Sequence, residues 1–372
     1  MAHPPGNNAG RVLVVNAGSS STKFAAFTAG DAPQEVLRGK LERLDSASAV
    51  LDELEARGAT TQLAGIGHRL VHGGPDRVAS ELVTPELLRD LKQLQPLDPT
   101  HLPAELELIA ACAERFPGVP QVACFDTAFH RDLPAVARTL PVPRRYQAQG
   151  IRRYGFHGIS YEYLMEELAR VAGADAAHGR IVFAHLGSGA SLAAVHNGKC
   201  VDTTMGFTPT GGLVMGTRTG DLDPGVLLHL SRAENLSADQ LDKLVNRESG
   251  LLGISETSAD TRELLACEAT DPRAAEAIAV FCYQTRKWIG AMAAALGGLD
   301  TLVFSGGIGE NAPEIRARIC ESLAFLGVSL VPARNTASAP VISPDGSSAT
   351  VRVIRTNEEA MIARTVVRLL AR

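Results

Sequence analysis

The chain has 372 residues, 45% of them hydrophobic and 21% charged, with a formal net charge of −5 at pH 7. That length exceeds a typical single domain and suits two, each with its own core, and the composition is that of an ordinary globular protein. The negative balance gives no electrostatic reason to expect nucleic acid or an acidic membrane surface as partner, so an anionic ligand must be held by local positive groups. The six cysteines form no C-x-x-C pair and no short metal spacing, which speaks for reduced cytoplasmic thiols rather than a zinc site or a disulfide framework. The opening MAHPPGNNAG lacks the basic start and apolar core of a signal peptide, and no run approaches the roughly 20 apolar residues of a membrane span. It reads as a short disordered lead-in.

Residues 11–27, RVLVVNAGSSSTKFAAF, read as two short strands around a Gly/Ser turn of Gly18, Ser19, Ser20, Ser21 and Thr22, followed by Lys23. Such a turn gathers backbone N–H groups and hydroxyls beside a cation, which suits a phosphate, although plain turns share this composition. The pattern returns. Setting Arg11 over Arg180, an offset of 180 − 11 = 169 residues, matches it to RIVFAHLGSGASLAAVH, with Gly18 on Gly187 and Ser19 on Ser188. A repeat at nearly half the chain length predicts two related domains rather than a solenoid, and two such hairpins facing one another would clamp a nucleotide, although Gly/Ser hairpins also resemble one another by chance.

Residues 39–58 carry leucines near helical spacing and predict a surface helix. Residues 66–74, IGHRLVHGG, predict a strand that breaks at two glycines; its H-x-x-x-H spacing would suit two zinc ligands on a helix, but the adjacent glycines and the missing E-x-x argue against metal, and Arg69 is either solvated or anion-holding. Thr84 and Pro85 start a helix to about Leu94, and another runs from Pro103 to Phe116, with His101 between them read as a surface histidine. Residues 121–130, QVACFDTAFH, predict a buried strand ending at Asp126 and His130, where α/β folds place chemistry and where Asp also caps turns. Residues 152–158, RRYGFHG, offer His157 as a catalytic candidate, or an aromatic packing loop, before a helix Tyr161 to Val171 capped by Ser160 and closed at Gly173.

Residues 205–224 are too rich in Gly, Thr and Pro for regular structure, and Arg218 stands there with Asp221 and Asp223 close behind. Ser237 and Gln240 form a capping box for a helix reaching Gly250. After a loop GLLGISETSAD, Asp260 and Arg262 mark a helix start. A core helix spans Pro272 to Leu296, with Ile278, Phe281, Trp288, Met292 and Leu296 on its inner rhythm. TLVFSGGIGEN then predicts strand, glycine loop and a helix from Asn311, an arrangement suited to a nucleotide. The tail is a strand, an Asn357 cap and an amphipathic helix.

Nine segments in order, VNAGSSSTK, GHRLVHGG, FDTAFH, RRYGFHG, HLGSGAS, MGFTP with MGTRTGDLDPG, SGLLGIS, FSGGIGEN and RTNEEAMIAR, resemble the acetate kinases of the acetate and sugar kinase/Hsc70/actin superfold. The resemblance implies an α/β fold of two duplicated actin-like (ribonuclease H-like) domains with an active-site cleft between them. The first would comprise 1–130 plus 360–372, closed by the C-terminal helix, and the second, nucleotide-binding one 131–359. It implies reversible phosphoryl transfer from ATP to acetate, giving acetyl phosphate and ADP, with Mg²⁺ or Mn²⁺ as cofactor, in a cytoplasmic homodimer that closes on its substrates. Carried over by position, Arg69, Asp126, His157 and Arg218 serve the phosphoryl group. Arg69, Val71, Phe156 and Pro209 bind the acid, and Asn16 and Glu358 hold the metal. Lys23, His185, Gly187, Ser188, Gly189, Asp260, Thr261, Arg262, Gly306, Gly307, Ile308, Gly309 and Asn311 surround the nucleotide. The chain departs from the family at Ser188, at Thr100-His101-Leu102 and at Thr210-Gly211-Gly212; Thr100 would make one edge of the acid pocket more polar. A propionate or butyrate kinase, a pyrophosphate-using relative and a non-catalytic nucleotide-binding regulator are the alternatives.

Overall fold

Four successive apolar residues, Val12 to Val15, leave a strand no polar face to turn toward water, so both sides must be covered. The computed structural model describes residues 10–17, 21–42, 46–99 and 101–371. In it β1 (Arg11–Ala17) pairs antiparallel with β2 (Ser21–Thr28), and β2 with β3 (Glu35–Glu42). On its other side β1 runs parallel to β4 (Leu63–Leu70), and β4 parallel to β6 (Gln121–Phe125). The two-residue β5 (Glu81–Leu82) completes the order β3-β2-β1-β4-β6-β5. Period-two alternation sends Leu13 and Val15 to one face, against the helices Ala47–Ala56 and Leu102–Arg115. Val12 and Val14 go to the other, against Met361, Ile362 and Val366 of the helix Glu358–Leu370.

The chain divides into two compact units, one of Met1–Phe129, His157–Tyr163 and Asn357–Arg372, the other of His130–Phe156 and Leu164–Thr356. In the second, β7 (Ile181–Leu186), β8 (Ala190–His196) and β9 (Lys199–Thr203) form an antiparallel meander. Then β10 (Thr301–Ser305) runs parallel to β7, and β11 (Thr350–Val353) parallel to β10. Its order, β11-β10-β7-β8-β9, repeats the first sheet strand for strand when β5 is set aside. The predicted offset holds to within a residue: 21 + 169 = 190, and β2 and β8 begin at Ser21 and Ala190, while 11 + 169 = 180, and β1 and β7 begin at Arg11 and Ile181. With two mixed sheets and flanking helices, the α/β class and the duplication stand as read.

Several local expectations change. Residues 39–42 belong to β3 and the helix starts only at Ala47, because Leu41 alternates into the core and Gly39 lets the Phe24 ring lie over it, where a Cβ would come within 2.4 Å. His101 is not a surface residue: only 12% of its side chain is exposed, and Nδ1 lies 2.9 Å from Asp98 Oδ1. The 121–130 strand stops at Phe125. The helix after RRYGFHG begins at Gly158 rather than at Tyr161, and the capping-box helix ends at Arg247. GLLGIS is itself a short helix, Gly250–Ser255, and the glycines of SGGIGEN form the helix Gly306–Asn311 rather than a loop. On Pro272–Leu296 the inner face is carried by Ile289 rather than Trp288. The 1–9 lead-in, the Gly18-Ser19-Ser20 turn and Thr100 lie outside the described residues.

Two features of β4 yield predictions. A Cβ at Gly67 would meet Ile362 Cγ2 at 2.4 Å and Val366 Cγ2 at 2.8 Å. Gly67→Val should therefore cost about 1–3 kcal/mol of overpacking, read as a lower urea midpoint. His68 is buried beside Gln121 Oε1 at 2.7 Å, and burial pushes its imidazole down to about 4 despite that hydrogen bond. A folded pKa below the unfolded one means stability is complete above about pH 6.5 and is lost as pH falls toward 4. His68→Gln should flatten that loss by about 3 kcal/mol in urea melts at pH 7 and 4.

Candidate functional site

In parallel sheets the strand ends at the carboxyl side are where backbone and helix termini gather, and chemistry follows them. The first unit obeys this. Asn16 lies near the end of β1, Arg69 near the end of β4 and Asp126 just past β6. Strand parity puts Asn16 on the face of Val12 and Val14, and Arg69 on that of Gly65 and Gly67, the face covered by the helix that opens at Glu358. The side chains meet there. Arg69 Nη2 donates to Asp126 Oδ2 at 2.5 Å, and Arg69 Nη1 to Asn16 Oδ1 at 3.3 Å. Asn16 Nδ2 donates to Glu358 at 3.0 Å and to Glu359 at 3.2 Å. Arg38 binds Glu359 Oε2 at 3.1 Å and Asn357 Oδ1 at 2.8 Å, pinning the helix start.

Asp126 is fully buried and the Arg69 side chain 14% exposed. Burial is the largest influence on the Asp126 carboxyl and pushes it up from its ordinary value; Glu358 adds to this, while Arg69 and the His157 backbone N–H pull it back. Burial alone would lower the Arg69 guanidinium, but Asp126 and Glu358 overcome it and it stays charged. His157 takes φ +58°, the left-handed region, and the next residue explains why the loop is built so tightly. Gly158 N–H donates to the Asp126 carbonyl at 2.9 Å, and a Cβ there would lie 2.1 Å from that oxygen. Val71 is buried, and its N–H donates to both oxygens of Glu105 at 3.2 Å. Lys23, exposed, is the cross-strand partner of Asn16.

Magnesium prefers hard oxygen donors, keeps several waters and needs few protein ligands. Asn16 Oδ1 and Glu358 are such donors, and Asp126 Oδ1 is buried with no hydrogen-bond partner among the described residues. Those residues contain no cluster of three His, Cys, Asp or Glu able to cage a metal, which an ion retaining most of its waters does not require. The donor set fits.

The second unit holds the other candidates in two groups. Arg218 Nη1 donates to the Pro209 carbonyl at 3.2 Å, while Asp221 Oδ1 accepts from Gly212 N–H and Asp223 caps the helix Pro224–Ala233. Phe156 is buried, its carbonyl 3.0 Å from His130 Nε2. The nucleotide candidates of this unit sit at the ends of β7 and β10 and at the start of the helix Thr261–Cys267, whereas Lys23, on β2, belongs to the first unit. His185 pairs with Ser191 across the hairpin, Gly187 N–H closes the turn onto the Gly189 carbonyl, and Ser188 O accepts from Gly216 N–H at 3.0 Å. A Cβ at Gly187 would lie 3.9 Å from Gly307 N, and one at Gly216 3.1 Å from Ala259 O. The Gly187 turn therefore neighbours the helix Gly306–Asn311, which contains Ile308 and Gly309, and Gly216 neighbours the residue before Asp260. Asn311 Nδ2 donates back to the Gly307 carbonyl at 2.9 Å. Asp260 caps the helix that starts at Thr261 and pairs with exposed Arg262 at 2.5 Å.

Sequence reasoning passed over Glu105 and Glu359. Glu105 stands on the apolar stripe of Leu102, Leu106, Ile109 and Cys112, and a carboxylate at an inward position was the available signal. Glu359 offers no such signal, because an acidic residue in the first turn of a helix is ordinary.

Compared with known proteins, the chain matches the model of the acetokinase family over residues 41–364. It is similar to an acetate kinase of Rhodopseudomonas palustris, 45% identical over 391 residues and covering 96% of this chain and 98% of the relative. It is also similar to a propionate kinase of Citrobacter rodentium, 43% identical over 392 residues with 96% of each covered. The crystal structure of Porphyromonas gingivalis acetate kinase superposes with a TM-score of 0.86 at 37% identity, covering 97% of this chain and all of that one. No described helix is long and apolar enough to cross a membrane.

Removing one partner of a buried ion pair leaves the other uncompensated. Asp126→Asn should lower stability by about 3 kcal/mol, measured by urea unfolding, and loosen the His157-Gly158 turn, measured as faster amide exchange there.

Proposed function

This chain belongs to the acetokinase family, and on that premise we propose that it transfers a phosphoryl group reversibly between ATP and acetate. The observation that carries the proposal is the polar network on one face of the first sheet: a charged Arg69 held by Asp126 and Asn16, beside Glu358. The acceptor acid ionises near pH ~4 and is already a carboxylate at neutral pH, so no general base is needed. Asp126, committed to Arg69, is in keeping with that. It orients a guanidinium rather than taking a proton.

What the reaction requires is stabilisation of charge on a metaphosphate-like group moving in line between two oxygens. Arg69, Arg218 and the His157 imidazole are the donors assigned to it. The rigid turn at Gly158 and the Pro209 carbonyl restrain His157 and Arg218 before substrate arrives. Val71, Phe156 and Pro209 are the apolar contacts assigned to the methyl group, and Gly187 to Gly189, Asp260 to Arg262 and Gly306 to Asn311 those assigned to the nucleotide. Asn16 and Glu358 would hold Mg²⁺. Once bound, the ion neutralises phosphate oxygens.

Purified protein with MgATP and acetate should form acyl phosphate, trapped as the hydroxamate. Arg69→Ala and Arg218→Ala should each lower kcat by about 10³ or more, the scale of an arginine finger. No hydroxamate with acetate, propionate or butyrate would defeat the enzyme reading. A kcat/KM that rises from the two- to the four-carbon acid would replace acetate with the longer substrate, the direction suggested by the propionate kinase relative.

A further inference from the structure

The sheet ladder that holds β4 ends at Leu70, whose carbonyl accepts from Asp126 N–H at 2.9 Å. Past that point the backbone needs other acceptors, and side chains supply them. Gly73 N–H donates to Thr127 Oγ1 at 3.1 Å, Gly74 N–H to His72 Nδ1 at 2.8 Å, and Val71 N–H to the carboxyl of Glu105. Glu105 is 3% exposed and occupies an inward position of the helix Leu102–Arg115 that an apolar residue would fill at lower desolvation cost. Its oxygens converge on a single backbone donor, and that donor belongs to a residue assigned to the acid substrate.

We infer that Glu105 is a positioning residue for the acid substrate: by accepting the Val71 N–H, it fixes the backbone that directs Val71 and, two residues earlier, Arg69. This rests on the acid-binding reading of those two residues. Burial pushes the Glu105 carboxyl well above the ordinary range, with Asp98 and Asp126 adding to the shift and Arg69 and the Val71 N–H opposing it. What the Val71 N–H requires of Glu105 is an acceptor oxygen at the right reach, and an amide can take its place. Thr127 and His72 hold the following turn whether or not Glu105 is present, so its loss disturbs Val71 and Arg69 more than the fold.

Three variants test this: Glu105→Gln keeps the acceptor, Glu105→Asp shortens its reach, and Glu105→Ala removes it. In steady-state assays, Glu105→Ala and Glu105→Asp should raise KM for acetate about tenfold, the worth of one hydrogen bond, with KM for ATP within about twofold of the parent. Glu105→Gln should restore the parent value. An unchanged acetate KM in the Ala and Asp variants, a parallel rise in both KM values, or a Gln variant as impaired as Ala would each overturn the inference. Amide exchange at Val71 reads the brace without any substrate: it should quicken about tenfold in Glu105→Asp and stay at the parent rate in Glu105→Gln. Equal exchange in all variants overturns the brace even in an active enzyme. Absence of acyl phosphate from the parent protein, with the exchange difference intact, defeats the substrate reading instead.

Discussion

A guanidinium removed from most of its water must be compensated where it lies, and much of the first unit can be understood as meeting that demand for Arg69. Asp126 supplies the full countercharge at 2.5 Å, Asn16 a carbonyl oxygen, and Glu358 a further negative charge. Each partner is in turn committed. Asp126 is reached by the His157-Gly158 peptide, Asn16 by two glutamates, and Glu359 by Arg38. Such a network tolerates little rearrangement, because losing any member leaves a charge or donor uncompensated in a low-dielectric setting. Rigidity of this kind suits phosphoryl transfer, in which charge stabilisation works best when the dipoles are already in place.

The two units show how one topology serves two tasks. In both, a three-stranded antiparallel meander feeds two parallel strands, so both sheets have neighbouring parallel strand ends at their centre. In the first unit those ends carry Asn16, Arg69 and Asp126. In the second, the aligned positions carry His185, Gly187 and the Gly306–Asn311 helix, where small residues let backbone groups approach one another. Charged side chains at one set of ends, and closely approaching backbone groups beside His185 at the other, is the division expected if the former stabilises a reacting group and the latter cradles phosphates.

The errors in reading the sequence share a cause. Residues 39–42 carry leucines that satisfy a helical rhythm, yet the register of β3 on β2 puts Gly39 under the Phe24 ring, and no local count of leucines reveals that. The glycines of SGGIGEN suggested a loop on propensity alone. They are helical because Glu310 accepts from Gly306 N–H, and because Arg316, fully buried, donates to the Gly309 carbonyl from the following helix. His101 looked exposed amid prolines and polar residues until Asp98 turned it inward.

What the residues alone determined was whatever depends on periodicity and short-range chemistry: the two hairpins and their 169-residue offset, the long Pro272–Leu296 helix, the caps at Thr84, Ser237, Asp260 and Asn357, and the Arg, His, Asp and Asn motifs. These features are local, so a window of residues carries them. Tertiary structure decided which of the motifs meet, since Asn16, Arg69, Asp126 and Glu358 are drawn together from four separated segments by parallel strand pairing and by the return of the last helix to the first sheet. It also decided the part played by Glu105, because only the packing of the Leu102–Arg115 helix against β4 sets a carboxyl over the backbone donor that the sheet leaves unpaired. Pairing and packing are long-range, and their free energy belongs to no single stretch of the chain.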